Sequence, residues 1–262
     1  MTTGTPHPPR IDTGRAHPAR VYDWLLGGSD NYPADEAVGG KLPPEARDAA
    51  RQNRQFMQRA AAWLAAQGVD QFLDIGSGIP TEPNLHQIVQ RVTPAAKVVY
   101  TDNDPLVLHH AQALLAGRPE GVTDFLQADV RRPEEIVEHA RGVLDLTRPV
   151  ALSLVALLHF VPGEQDAHAI VRTLLSALAP GSHLVLSHAA SDLQPELAAH
   201  VTAEYAKGGI RLAFRTRPEV ARFFDGLDMV APGLVTAPEW FRPPQAPAPE
   251  DSGIYAGVAR VP

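Results

Sequence analysis

The chain has 262 residues, of which 44% are hydrophobic and 20% charged, a composition typical of a globular protein with a continuous core. Cysteine is absent, which excludes disulfides and thiolate zinc sites and leads us to predict a reducing compartment, the cytoplasm. The formal net charge of −7, with scattered arginines, argues against a nucleic-acid partner. No run approaches the ~18 apolar residues of a membrane span, so no membrane partner is expected.

The first part of the chain is predicted to be helical after a short tail. Residues 1–10 are proline-rich and have no apolar core, which indicates a disordered tail and not a secretory signal. Helices are expected over 16–26, shortly after the turn that follows Gly28, and over 45–67. We therefore expect an N-terminal helical cap over 11–67.

From residue 68 onward, short apolar runs alternate with stretches of helical length. The expected strands are 71–75, 97–101, 123–127, 149–158 and 182–187, and the expected helices are 83–92, 105–117, 133–146 and 163–179. Strands that alternate with helices indicate βαβ units and a mainly parallel sheet. The pattern predicts an α/β protein with a Rossmann-like, doubly wound core over 68–262, and one domain over 11–262.

The C-terminal part adds two helices, at 192–207 and 217–224, and two strand candidates, at 227–237 and 254–260. A proline-rich segment separates the two strands and leaves no room for a crossover helix. The two strands are therefore expected to form a closing antiparallel pair.

The strongest chemical signal is LDIGSGIPT, residues 73–81, where the first strand should end and a helix should follow. Gly76 and Gly78 allow a sharp turn and close approach to a ligand, with Ser77 between them, although such turns are often purely structural. The dinucleotide fingerprint needs a third glycine, and Thr81 stands there instead. Asp74 would repel a pyrophosphate and attract the amino group and sulfonium of S-adenosylmethionine.

Two further carboxylates follow the next two strands. Asp102 is placed to accept hydrogen bonds from ribose hydroxyls, whereas Asp104, which precedes Pro105, is interpreted as a helix N-cap. Asp129 is placed to accept a hydrogen bond from an adenine amino group, and capping of the following helix is its alternative role. The residues flanking these carboxylates complete the predicted cofactor site: Asn103, Ala128 and Val130.

These residues resemble a known family. The phrases RVYDWLLGGSDNYPADE, RQNRQFMQRA, LDIGSGIPTEPNLH, VVYTDNDPLVL and ALLHFVP are similar to the actinobacterial S-adenosyl methyltransferase family, formerly a domain of unknown function, within the class I S-adenosylmethionine-dependent methyltransferases. The similarity extends from about Arg10 to Arg260. It implies a seven-stranded sheet with a late antiparallel strand, S-adenosylmethionine as cofactor and S-adenosylhomocysteine as product. The resemblance does not identify the methyl acceptor. Pro80 replaces the usual third glycine of the turn and should make the turn stiffer.

The N-terminal phrase sets aromatic and small polar residues beside a glycine pair: Tyr22, Asp23, Trp24, Gly27, Gly28, Asp30, Asn31 and Tyr32. We predict that this segment covers the cofactor as a lid, with Tyr22 among the cofactor contacts. A helix that packs its aromatics into the core is the alternative.

Other candidates lie around the same crevice. Arg54 could bind the methionine carboxylate of the cofactor, with Asn53 beside it, although an exposed helix face explains both equally well. Asn84 and His86 follow the glycine turn and have weaker support. The fourth strand should end beside the transferred methyl group, at Leu154, Val155 and Ala156.

His159 is a candidate general base, although a structural role is at least as consistent with its position, and methyl transfer needs little beyond in-line positioning. The histidines form no metal pattern, so no metal is expected. The sequence thus predicts a methyltransferase that acts on a small-molecule or protein acceptor. The alternatives are a non-catalytic sensor that binds the same cofactor and an NAD(P)-dependent oxidoreductase.

Overall fold

The computed structural model describes residues 11–114, 117–242 and 251–262. The tail predicted at 1–10 and residues 115 and 116 of the helix predicted over 105–117 lie outside the described residues. In the described ranges, no helix combines the length and apolarity that crossing a membrane requires.

A mixed sheet forms the centre of the molecule. Its strands are β1 Gln71–Ile75, β2 Lys97–Asp102, β3 Val122–Gln127, β4 Ala151–Leu154, β5 His183–Ala189, β6 Asp228–Met229, β7 Val235–Thr236 and β8 Ile254–Arg260. The order is β3-β2-β1-β4-β5-β8-β6, and β7 also pairs with β8. Strands β1 to β5 are parallel, and β8 runs antiparallel to β5. This confirms the predicted Rossmann-like fold class.

Helices surround the sheet, and many begin with a proline in the first turn, where its missing N–H has no helical partner to lose. They are α1 Pro18–Leu25, α2 Pro33–Gly39, α3 Pro44–Ala66, α4 Leu85–Val92, α5 Pro105–Leu114, α6 Pro133–Arg141, α7 Glu164–Ser176, α8 Pro195–Lys207 and α9 Arg217–Ala221.

The core lies on both faces of the sheet because neighbouring residues of a strand point to opposite sides. Phe72 and Val98 pack on one face with residues of α3 and α4. Leu73 and Leu152 pack on the other face with residues of α6 and α7. Burial on both faces explains why the strands are apolar without alternation.

Two predicted strands differ from the structure. The strand expected over 149–158 ends at Leu154, and a 3₁₀ helix, Leu158–Phe160, follows it. The run stays apolar after the strand ends because Leu158 is fully buried in the core. The strand expected over 227–237 is divided by a turn into two short strands, β6 and β7. Both pair antiparallel with the same edge of β8, at different positions along it.

The strand order reverses between β1 and β4, since the chain proceeds to β2 and β3 on one side and to β4 and β5 on the other. At such a switch point the loops after neighbouring strands diverge and leave a crevice at the carboxyl ends of the strands. The functional site is therefore to be sought there.

Candidate functional site

A cavity of about 380 Å³ lies at this switch point. Its walls are the segments that follow β1, β2, β3 and β4, together with residues from α1 and α3. It brings together most of the predicted cofactor residues: Tyr22, Arg54, Asp74, Gly76, Ser77, Gly78, Asp102, Asn103, Ala128, Asp129, Val130 and Val155. We call it the first cavity.

The glycine turn forms one wall and has the backbone conformation that the sequence suggested. Gly76 and Gly78 have φ values of 75° and 67°, in the left-handed region that favours glycine. A Cβ atom on Gly76 would lie 2.6 Å from Cδ1 of Leu157, so a larger residue there would have to displace the Leu157 side chain. The Gly78 N–H donates a hydrogen bond to Oδ2 of Asp102 at 2.9 Å and thereby ties the turn to the end of β2.

Two buried carboxyl groups face this turn. Burial, with a smaller contribution from the nearby Asp102, raises the pKa of Asp74 to about 6, against the opposing effects of Ser153 and Arg54. Burial also raises the pKa of Asp102, whose oxygens accept hydrogen bonds from the N–H groups of Gly78 and Asp104. Two adjacent buried carboxylates make this end of the cavity suited to a cationic ligand.

Arg54 reaches the same cavity from α3. Its Nη2 donates hydrogen bonds to the backbone oxygens of Thr81 and Pro83, which fix the guanidinium against the glycine turn. Its Nε is buried and, among the described residues, has no hydrogen-bond partner, and the same is true of Ser77 Oγ. Burial lowers the pKa of Arg54. Buried polar atoms without partners are costly, and both residues line the first cavity, where a polar ligand would supply the partners.

Asp129, which follows β3, is in the wall of the first cavity and is only partly buried. It accepts hydrogen bonds from the Arg131 N–H at 2.9 Å and from Arg131 Nη1 at 3.0 Å. These bonds orient the carboxylate. The predicted capping alternative has no support in these contacts, because both donors belong to Arg131, ahead of α6.

The N-terminal segment is fastened over the first cavity by an ion pair. Arg20 of α1 donates from Nε and Nη2 to the two oxygens of Asp104, at 2.7 and 2.8 Å. Both residues are buried. Asp104 also accepts a hydrogen bond from the Leu106 N–H at 3.0 Å, which confirms that it caps α5. Sequence reasoning identified the cap and missed the ion pair, because nothing local connects residues 20 and 104.

This Arg20–Asp104 ion pair, which we call the clamp, holds His17, Ala19 and Tyr22 on the wall of the first cavity. Other members of the N-terminal phrase hold the segment itself together. Asp23 accepts hydrogen bonds from the Asp30 N–H and from Asn31 Nδ2, and the Trp24 ring packs beneath the Arg47 guanidinium at 4.0 Å. The N-terminal segment therefore contains residues that line the first cavity and residues that hold the segment in place.

The loop after β4 contains a strained residue. Ala156 has a φ of 53°, which costs a residue with a side chain about 1–2 kcal/mol. Its N–H donates to Ser187 Oγ at 2.9 Å, and Ser187 donates in turn to Asn53 Oδ1. Asn53 Nδ2 donates to the Tyr22 hydroxyl at 2.9 Å. This network holds the loop, α3 and α1 in register, and no signal in the sequence singled out Ser187.

Four predicted residues are not on the wall of the first cavity. Leu154 is fully buried in the core. Asn84 accepts a hydrogen bond from the Thr81 N–H, and His86 pairs with the Tyr100 hydroxyl in the interior. His159 lies in the 3₁₀ helix, where burial, assisted by Arg215, lowers its pKa to about 3. A histidine with such a pKa is a poor proton acceptor at neutral pH.

Comparisons with known proteins identify the family. A family model described as S-adenosyl methyltransferase matches residues 4–262. The chain belongs to the S-adenosyl methyltransferase family. It is accordingly an S-adenosylmethionine-dependent methyltransferase, and its cofactor is S-adenosylmethionine. The predicted family, reaction class and cofactor are thereby confirmed.

Two crystal structures resemble this methyltransferase closely. A DUF574 family protein from Streptomyces avermitilis is 45% identical, with a TM-score of 0.92 over 97% of this chain and 100% of that one. A candidate methyltransferase from Thermobifida fusca is 36% identical, with a TM-score of 0.86 over 97% and 98%. A SAM-dependent methyltransferase from Anabaena variabilis shares the fold at 12% identity and a TM-score of 0.56, over 97% and 98%. A search of curated proteins finds no match.

Proposed function

We propose that this methyltransferase binds S-adenosylmethionine in the first cavity and transfers its methyl group to an acceptor held beside the loop after β4. The observation that carries the proposal is the pair of buried, unpartnered polar atoms, Arg54 Nε and Ser77 Oγ, next to two buried carboxyl groups. A ligand with both a carboxylate and cationic groups matches this set of charges.

Each side of the first cavity fits one part of the cofactor. Arg54 and Ser77 would donate to the methionine carboxylate, and Asp74 would accept from the methionine amino group. Gly76 and Gly78 leave room for the backbone of the turn to approach it. Asp102 retains free lone pairs for the ribose hydroxyls, even though it already accepts two backbone N–H groups.

The adenine would lie against Asp129, the remaining acid of the first cavity. Its carboxylate is oriented by Arg131 to accept from the adenine amino group. The apolar walls beside the ring are Ala128 and Val130, and Asn103 flanks the ribose. This arrangement supports the residue roles predicted from the sequence.

The bound cofactor supplies an electrophilic methyl group on a sulfonium, and transfer leaves S-adenosylhomocysteine. The protein's contribution is to position the acceptor in line with that methyl group and to exclude water. Val155 and Ala156 border the place where the methyl group would lie, and the segment with His17 and Tyr22 covers it as a lid. Because His159 is a poor proton acceptor, we assign it no role as general base.

We further propose that residues 11–262 act as one domain and that the protein works in the cytoplasm on an acceptor other than nucleic acid. The helices of 11–67 support the first proposal, since α1 is clamped to Asp104 and α3 packs against the sheet. Neither the family match nor the geometry supports the sensor or the oxidoreductase.

Calorimetric titration with S-adenosylmethionine, S-adenosylhomocysteine and NAD tests the site. We expect both adenosyl ligands to bind the wild type and Asp102→Ala to weaken them by about 100-fold or more, because two charge-assisted hydrogen bonds are lost. Asp124→Ala is the matched control on the neighbouring strand, away from the first cavity, and should bind as the wild type does. Binding of NAD alone, or an unaffected Asp102→Ala variant, would contradict the proposal.

A further inference from the structure

A second cavity, of about 110 Å³, adjoins the first. It lies between α1, α3 and α8 and reaches the ends of β5 and β8. Four residues line both cavities: Tyr22, Asn53, Ala156 and Phe160. The boundary therefore includes the strained Ala156 and the hydrogen-bond network that fixes it.

The wall of the second cavity is apolar and rich in small side chains. Alanines from three elements face it, among them Ala49 of α3, Ala189 of β5 and Ala198 of α8. Larger apolar groups complete it, such as Leu197 and Val201. Alanine leaves space that larger residues would fill, and apolar walls select an apolar occupant.

The charges at the second cavity have one sign. Glu45 and Asp251 line it and are exposed, so they lie where solvent reaches the cavity. No lysine or arginine is among the described residues of its wall. A carboxylate or phosphate on the occupant would thus have no cationic partner and would face two acidic groups, whereas an ammonium group would be attracted.

From these observations we infer that the second cavity is the acceptor site and that the acceptor is a small amine with an apolar body and no anionic group. The inference rests on the proposed function, since it takes the first cavity as the cofactor site. The volume limits the enclosed part of the acceptor to about one aromatic ring, because it is somewhat below the roughly 150 Å³ of a cavity that binds benzene. The shared boundary brings such a molecule to the loop after β4.

An amine acceptor is also consistent with the absence of a histidine base among the described residues of the second cavity's wall, since His159 is a poor proton acceptor. The lone pair of an uncharged amine nitrogen forms the new bond to the methyl carbon while the carbon–sulfur bond breaks and its electron pair returns to sulfur. The product is an ammonium ion, which releases its proton to water afterwards. The ammonium form that the exposed carboxylates attract first loses a proton to water at the open side of the cavity, so the step does not need His159, whose pKa is low.

Three probes with the same apolar body test the inference: phenethylamine, phenethyl alcohol and phenylacetate. Each is titrated into the protein saturated with S-adenosylhomocysteine, and methyl transfer to each from labelled S-adenosylmethionine is then measured. We expect phenethylamine to bind and to be methylated, phenethyl alcohol to bind without rapid methylation, and phenylacetate to bind at least about tenfold more weakly than the amine.

Two variants that fill the second cavity locate the binding. Ala49→Phe and Val201→Phe project a ring from α3 and from α8, and each should weaken phenethylamine binding by at least about tenfold while S-adenosylhomocysteine still binds. Ala66→Phe places the same ring at an exposed end of α3, away from the cavity, and should bind both ligands as the wild type does. Two filling variants are used so that a folding defect in one does not decide the outcome.

The outcomes separate the two proposals. Failure of S-adenosylhomocysteine to bind would contradict the cofactor site itself. If it binds but phenylacetate is preferred, or both filling variants bind phenethylamine normally, the acceptor assignment is wrong. Methylation of a peptide mixture and of none of the small probes would likewise overturn it, in favour of a protein acceptor.

Discussion

The two cavities differ in how their walls are built. The first is formed mainly by a few short segments at the ends of β1, β2 and β3 and contains carboxylates, backbone N–H groups and the half-buried Arg54. The second is formed by helix faces from distant parts of the chain, and its wall is mostly alanine and larger apolar residues. Polar groups at fixed points suit a ligand of fixed structure, whereas a smooth apolar wall suits selection by size and charge.

The loop after β4 belongs to both walls, so one loop can serve two kinds of recognition. Ala156 stands on the boundary, held by Ser187 from β5 and, through it, by Asn53 from α3. A rigid boundary keeps the reactive atoms of two ligands in a constant relation, which is the main requirement for in-line transfer. The two walls can therefore be altered separately, and variants should affect one cavity and spare the other.

The largest expected effect is on the clamp of the first cavity. Arg20→Ala leaves the buried Asp104 without its arginine and with only the His17 ring, 3.2 Å away, so we expect the free energy of unfolding to fall by about 3–5 kcal/mol in chemical denaturation. The lid should loosen as well and weaken S-adenosylhomocysteine binding. Arg148→Ala removes the exposed Arg148–Asp70 pair and should leave stability nearly unchanged. Equal losses in the two variants would refute the role of the clamp.

A second effect concerns pH and should be confined to the first cavity. The pKa of Asp74 is raised to about 6 by burial, with Asp102 raising it and Arg54 lowering it. The carboxylate that attracts the cofactor's amino group is therefore lost as pH falls through 6, and affinity for S-adenosylhomocysteine should fall roughly tenfold per pH unit below it. Above pH 6 the affinity should be level.

The variant Asp74→Asn distinguishes the titration of Asp74 from the titration of other groups. It should bind more weakly than the wild type at pH 7.5 and show little change in affinity between pH 5 and 7. The sign for stability is opposite: a raised carboxyl pKa means that the unliganded protein gains stability from this group as pH falls from 6 toward 3.8. A pH dependence that survives in Asp74→Asn would assign it to another residue.

The smallest effect is expected at the boundary. Ala156→Gly relieves the left-handed conformation and should raise the free energy of unfolding by up to about 1 kcal/mol. Ala199→Gly, at an exposed position inside α8, should lower it by about the same amount, because glycine disfavours a helix. If Ala156→Gly were as destabilising as Ala199→Gly, the loop would not be strained.

The same contrast explains what the sequence could predict. The first cavity depends on residues next to strand ends, such as Asp74 and Asp102, and strand ends are recognisable from apolar runs followed by glycine or acid. The sheet was predictable for that reason too. The end of β4 could not be predicted, because the apolar run continues into a 3₁₀ helix whose Leu158 is buried.

The second cavity has no comparable local pattern. Alanines on α3 and α8 are ordinary helix residues, and nothing in their spacing reveals that they face one space. The Arg20–Asp104 pair and the Ser187–Asn53 bond likewise join residues far apart in the chain. Such contacts follow from the packed topology, which sequence periodicity alone does not specify.

A crystal structure of the protein with S-adenosylhomocysteine would test both proposed sites most directly. We expect the methionine carboxylate on Arg54 Nε and Ser77 Oγ, the ribose on Asp102, and the sulfur at the boundary beside Ala156, facing the second cavity. A sulfur atom directed away from that boundary, or a ligand that leaves Arg54 Nε and Ser77 Oγ unpartnered, would contradict these proposals.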